Sequence, residues 1–201
     1  MPAPPKQLTK YRRSLKDKLT ALCKRWARGG TPWSDLDDEA QDLLTDGHAE
    51  AARLGRLLGG DTSDDPDGDE AIAEDVWDGE VRHWRKVVKD IERGRYGVPG
   101  DDGNPADAEK LGRRVGLYSR KLVATANDAW VDAEPDETLY EWIATAKESC
   151  SDCARWEAGS PYRAEDLPAV PGDSASICRT GCACFLKSDD GTTGFQMDDD
   201  D

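Results

Sequence analysis

A mainly α-helical fold is predicted, an antiparallel helical body carrying a small C-terminal module with short strands, and three observations predict it. Apolar residues recur at steps of three and four over four long stretches, the spacing that lines side chains along one face of a helix. Each stretch is bounded by Gly, Pro or Asp clusters, which punctuate helices. Beyond Pro135 the helical period stops, and five of the six cysteines crowd into residues 150 to 184. With 37% apolar and 34% charged residues, two Phe and two Met against seven Trp, the core is thin and drawn from Leu, Val, Ala and Trp. That supply suits amphipathic helices better than a large mixed sheet.

The first helix is expected over residues 7 to 28, with Leu8, Tyr11, Leu15, Leu19, Leu22 and Trp26 on its stripe. Gly29, Gly30 and Pro32 end it. Ser34 followed by Asp35, Asp37 and Asp38 reads as the N-cap and acidic first turn of a second helix, which carries Leu36, Ala40, Leu43, Leu44, Ala51, Leu54 and Leu58 up to Gly59-Gly60. Residues 61 to 69 (DTSDDPDGD) hold five Asp and almost nothing to bury, so a solvated linker is expected. The Asp spacing superficially suggests a calcium loop, but the closing Glu at the twelfth position is missing.

A third helix places Ile72, Val76, Trp77, Val81, Trp84, Val88 and Ile91 on one stripe and stops at Gly94. Pro105 stands where a first helical residue belongs, opening a fourth helix with Leu111, Val115, Tyr118, Leu122, Ala126 and Trp130. Four such stripes bury one another as a bundle or as two hairpins. Trp26, Trp77, Trp84 and Trp130 read as core anchors, because Asp75, Asp78 and Glu80 around Trp77 would repel a nucleic acid. Further on, TLYEWI at 138 to 143 reads as a short strand.

Charge is unevenly placed. Residues 1 to 30 carry nine basic side chains against one acid, a net +8, whereas the whole chain is at −15, which leaves −23 for the remainder. The split predicts a basic arm on an acidic body, the arm being either a solvated helix face or a docking surface for nucleic acid or an acidic protein. No run of about 18 apolar residues and no apolar secretory segment is found, so a cytosolic protein without membrane insertion is expected. The expected organisation is a basic N-terminal helix or arm at 1–30, an acidic helical body at 31–135, a cysteine-rich metal-binding module at 136–187 and a disordered acidic tail at 188–201.

The candidate site is Cys150, Cys153, Cys178, Cys182 and Cys184. C-x-x-C lets two thiolates converge on one tetrahedral ion, and the C-x-x-x-C-x-C cluster closes the shell. Five cysteines exceed four places, so Cys150, Cys153, Cys178 and Cys184 are taken as ligands, with Cys182 the substitute for Cys178. A structural zinc ion would replace a hydrophobic core in so small a unit; disulfides and redox thiols are the alternatives, less suited to a reducing compartment and a C-x-x-C without basic neighbours. Cys23 lies on the apolar side of the first helix as a small hydrophobe. His48 and His83 fall on different helices without a nucleophile motif, and the glycines of GRLLGG and GVPGDDG lack a following Lys-Ser/Thr, so no catalytic residues are assigned.

Trp142, CSDC at 150–153, GSPY at 159–162, LPAVPG at 167–172 and CRTGCAC at 178–184 together resemble the C-terminal signature of phage head morphogenesis proteins, the Mu F-like minor head family. The resemblance is best over residues 138–186 and weaker over 34–131, where AARLGRLL, VVKDIERG and LYSRKLVATANDAW occur in the expected order. Members often show a His-Pro pair ahead of the closing C-x-C, whereas Cys178 stands in roughly that place here, so the ligand set departs from the pattern. The resemblance implies a non-enzymatic minor structural protein of a tailed-phage head, present in multiple copies in the virion after assembly in the host cytoplasm. It would act near the portal in head assembly or genome packaging and delivery, with the portal or major capsid protein as partner and DNA as a possible contact of the basic helix. Two other classes stand beside it: a zinc-binding adaptor outside phages, and a transferase related to toxin-fused relatives, for which no separate stretch of this chain is left.

Overall fold

The computed structural model describes residues 3–27, 33–96, 105–145, 150–173, 175 and 183–197. It is mainly helical, 68% helix, with a two-stranded antiparallel sheet. The elements run α1 (Pro4–Ala27), α2 (Trp33–Leu58), α3 (Pro66–Glu92), α4 (Pro105–Ala133), β1 (Tyr140–Ile143), α5 (Ser151–Gly159), a 3-10 turn at Ala164–Asp166, and β2 (Phe185–Ser188). The α2 helix packs against each of the other three long helices, and α1 also packs on α4.

Expected as an arm, α1 is one of the helices around the common core: Leu8, Leu15, Leu19, Leu22 and Cys23 are all buried. Arg12 is buried with them at 1% exposure and donates from Nε to the Ser119 carbonyl at 3.2 Å. One of the nine basic groups of the first thirty residues therefore serves the fold. The second helix already begins at Trp33, which places Ser34 within its first turn, where its hydroxyl donates to Asp35.

Along the seam of α2 and α4, Gly55 and Gly59 let the backbones approach closely. A Cβ on Gly55 would stand 2.2 Å from the Ala126 carbonyl oxygen and 2.9 Å from the Ala129 Cβ, and one on Gly59 would stand 2.8 Å from the Ala133 Cβ. These glycines of the GRLLGG stretch have a packing role.

The expected linker is shorter than nine residues, because α3 starts at Pro66 with Asp65 as N-cap, its carboxylate accepting from Gly68 N. Asp67 and Asp69 belong to its acidic first turn. The Arg56 guanidinium reaches into this bend and binds Asp61, Asp69 and Ser63, so a side-chain cation is already paired with two of the five aspartates that raised the calcium alternative. The stripe of α3 is rotated from the expected one: Ala73, Trp77, Glu80, Trp84, Val87, Val88 and Ile91 are buried, whereas Ile72 is 38% exposed. Gly94, at φ +71, closes the helix with its N–H on the Ile91 carbonyl and that of Arg95 on Asp90, the left-handed stop glycine favours. Trp77, Trp84 and Trp130 are buried and Trp26 is packed against the core, as expected of anchors.

The strand expected in TLYEWI forms over its last four residues and pairs antiparallel with β2, Trp142 facing Leu186 and Ile143 facing Phe185. Residues 188–197, expected as disordered tail, instead close β2 at Ser188, turn, and lay Gly194 and Phe195 on α4. Phe195 is 1% exposed, and Asn127 clasps it from both sides: Oδ1 accepts from Phe195 N at 2.8 Å and Nδ2 donates to Phe195 O at 3.0 Å. Asp198 to Asp201 lie outside the described residues. The Pro171-Gly172 turn docks on the same helix, with Gly172 at φ +94 against the Ala124 backbone and the Pro171 carbonyl 3.4 Å from Asn127 Nδ2. No described helix is long and apolar enough to cross a membrane.

Candidate functional site

Cys150 is the N-cap of α5, and its sulfur accepts the Cys153 backbone N–H at 3.5 Å. One helical turn then brings the two Sγ atoms to 3.4 Å. There the Cys150 thiol donates to Cys153 Sγ, a contact too long for a disulfide of about 2.05 Å and shorter than the separation of about 3.8 Å between two thiolates at about 2.3 Å from one tetrahedral zinc. A helix N-terminus is also a favourable place for thiolate charge. Cys153 is fully buried, Cys150 half-buried, and Cys184 is buried immediately before β2.

Three tertiary ties hold this unit. The Trp142 and Trp156 rings meet edge to face at 4.8 Å, Ala144 N donates to the Glu157 carboxylate of α5 at 3.0 Å, and Thr145 donates to the carbonyl of Ala183, next to Cys184, at 2.7 Å. Tyr162 forms a two-way backbone bridge with Tyr140 and caps α5 through its hydroxyl on Trp156 O. Two of the four ligands a zinc ion would need therefore stand side by side. Cys178 and Cys182 lie outside the described residues, and among the described residues no group of three or more His, Cys, Asp or Glu converges as a metal cluster would. The remaining cysteine, Cys23, is fully buried, and burial pushes its thiol up to about 12, which keeps it inert.

A second polar constellation was not anticipated. His48 of α2 is 1% exposed, with Nδ1 2.7 Å from the Thr125 hydroxyl of α4 and Nε2 4.0 Å from the Glu80 carboxylate of α3. Lys121 of α4 pairs with Glu80 at 2.5 Å. Burial, and then the Lys121 charge, lower the His48 pKa to about 3, so the ring is neutral at pH 7. Burial raises the Glu80 carboxyl, and the Lys121 ammonium opposes that rise. His48 falls four residues after Leu44 and three before Ala51, on the buried stripe itself, and that spacing was the signal available for it.

Charge divides between helix pairs. By sequence α1 has eight basic residues against one acidic and α4 five against four, whereas α2 has two against seven and α3 four against nine. All five basic residues of α4 fall between Lys110 and Lys121, where no acid occurs. Lys6, Lys10, Arg13 and Lys18 of α1 and Lys110 and Arg113 of α4 are exposed, and the two helices adjoin where Lys16 lies over Gly116. Arg25 is paired with Glu39. The apolar stripe of α1 is consumed by the protein's own core, so the face left to a partner is a charged one. Compared with known protein families, curated proteins and solved structures, the chain matches none.

Proposed function

We propose that the chain is a minor structural protein of a tailed-phage head, acting near the portal in head assembly or genome packaging and delivery, and stapled by one structural zinc ion. The observation that supports this reading is the organisation of its C-terminal unit. The segments carrying the resemblance, Trp142, the CSDC turn, GSPY, LPAVPG and Cys184, are drawn into one assembly of β1, α5 and β2, seated on α4 through Gly172 and Phe195. Such an assembly suits a fixed structural knob. Cys150 and Cys153 would supply two zinc thiolates, with Cys184 and Cys178 or Cys182 completing the shell. Bound zinc would act there by lending binding energy to folding.

In this reading the basic face of α1 and α4 meets an acidic patch of the portal or major capsid protein, with packaged DNA as the other polyanion it suits. The test is in the particle and the genome. Peptides of this chain in purified heads, and a coding position beside portal, terminase and capsid genes, are expected. Heads assembled from the same genome that lack the protein refute the proposal.

A further inference from the structure

A cleft of about 260 Å³ opens between α2, α3, α4 and the turn at Gly172, lined by none of the described cysteines. His48, Glu80, Lys121 and Thr125 lie inside it, Val76 and Ala124 give it an apolar wall, and Asp75, Asp128 and Asp173 stand at its rim. Glu80 is paired to Lys121, while burial and then the neighbouring charges of Asp173 and Asp132 raise the Asp128 carboxyl to about 7, and burial raises that of Asp173, so a cation seated between these two carboxyls would relieve their mutual repulsion. His48, one of its lining residues, has Nε2 buried, 4.0 Å from the Glu80 carboxylate and without a hydrogen-bond partner among the described residues. Leaving such a group unmet is unfavourable.

We propose that this cleft binds a short aliphatic diamine, one ammonium held by the Asp128 and Asp173 carboxylates and the other donating to His48 Nε2, with the alkyl chain along Val76 and Ala124. The volume is below the roughly 300–1,000 Å³ of drug-sized sites and calls for a small ligand. When Nδ1 carries the proton and donates to Thr125, Nε2 is left as an acceptor, the role an ammonium requires. Because His48 stays neutral at physiological pH, it does not repel the cation. A chelated metal is disfavoured on two grounds. No three suitable side chains converge among the described residues, and the Lys121 ammonium already takes the place on Glu80 that a metal would need. That lysine is itself an alkylammonium seated in the cleft.

The experiment is calorimetric titration of the full chain with 1,4-diaminobutane against an ionic-strength-matched NaCl control, with MgCl2 and CaCl2 as competitors. Saturable one-to-one binding is expected. Asp128→Asn, at an exposed position, should weaken it at least about fivefold, and Asp173→Asn likewise, although its carboxylate also accepts from Val170 N and Ala175 N, while Asp78→Asn, on α3 outside the cleft, should not. The ¹⁵N resonance of His48 Nε2 should shift with the same saturation curve, a change that general attraction to an acidic protein does not produce. Heat equal to the NaCl control, equal weakening by all three variants, a stationary His48 resonance, or stoichiometric displacement by Mg²⁺ or Ca²⁺ would each overturn the proposal.

Discussion

Replacing Gly55 by Ala tests whether the close seam of α2 and α4 organises the body. An added Cβ would lie 2.2 Å from the Ala126 carbonyl oxygen and 2.9 Å from both the Ala129 Cβ and the Trp130 nitrogen. All three are fixed in α4, so no flexible side chain can swing aside. Relief requires the helices to part by about 1 Å, and a gap of about 0.5–1 Å forfeits a quarter to a half of the dispersion energy along the seam. Overpacking costs about 1–3 kcal/mol, and immovable backbone argues for the upper end. Alanine returns about 1 kcal/mol through helix propensity. The net expectation is a loss of about 2 kcal/mol, read by urea denaturation as a midpoint lowered by about 1 M for a slope of about 2 kcal/mol per M. Gly112→Ala, also helical but with nothing within 4 Å of the new Cβ, supplies the opposite sign, a gain of about 0.5–1 kcal/mol. A Gly55→Ala protein as stable as the wild type would refute the reasoning.

Three more expectations follow from the site and surface. Purified without chelators, the protein should carry about one zinc per chain by elemental analysis, and Cys150→Ser should abolish it; metal-free protein with Cys150 or Cys153 in a disulfide would contradict the zinc assignment. His48 binds no proton in the folded state until about pH 3, whereas the unfolded imidazole titrates near 6.5; its contribution is complete above 6.5 and is lost as pH falls. His48→Gln should therefore lose about 1 kcal/mol less stability than wild type between pH 6.5 and 5.5 in urea melts, and identical pH slopes would count against a buried neutral ring. Reversing Arg13 and Lys18 to Glu should weaken incorporation into heads, and any wild-type complex should fade with rising salt; unchanged incorporation would leave that face merely solvated. Arg12, buried on Ser119, belongs in no such charge-reversal set, because its loss would damage the fold.

The helices were legible because their stripes are long and their ends punctuated, as Pro105, Gly94 and Gly59 illustrate. The stripe of α3 was misphased by one residue at its start: Ile72 looked like a core residue, yet small Ala73 and charged Glu80 share the buried face with Trp77 and Trp84. Arg12 was counted as surface charge although it follows Leu8 by four and precedes Leu15 by three. The cleft was invisible for a different reason. His48, Glu80 and Lys121 come from three helices, and no local pattern announces their meeting. Nor did Phe195 and Met197, isolated in a Gly, Thr and Asp stretch, signal that Asn127 and Trp130 were waiting for them. The cysteines were readable as chemistry from their spacing, and the structure adds how the first pair is posed, at the start of a short helix.

The Asn127 clasp also sets a timetable for the protein's birth. Its partner, Phe195, lies 68 residues downstream, which at about 5–20 residues per second takes roughly 3–14 s to synthesise. Throughout that interval the amide of Asn127 and the face of Trp130 that Gly194 will cover have nothing from the chain's end to close over them. The nascent chain thus passes through a stage in which α4 exists but its outer groove stands open, a wet apolar surface that a chaperone or a sister chain can occupy. Closure comes only when Phe195 arrives, so a ribosome stalled before that codon holds a chain whose five helices are already made and whose seam is unlatched.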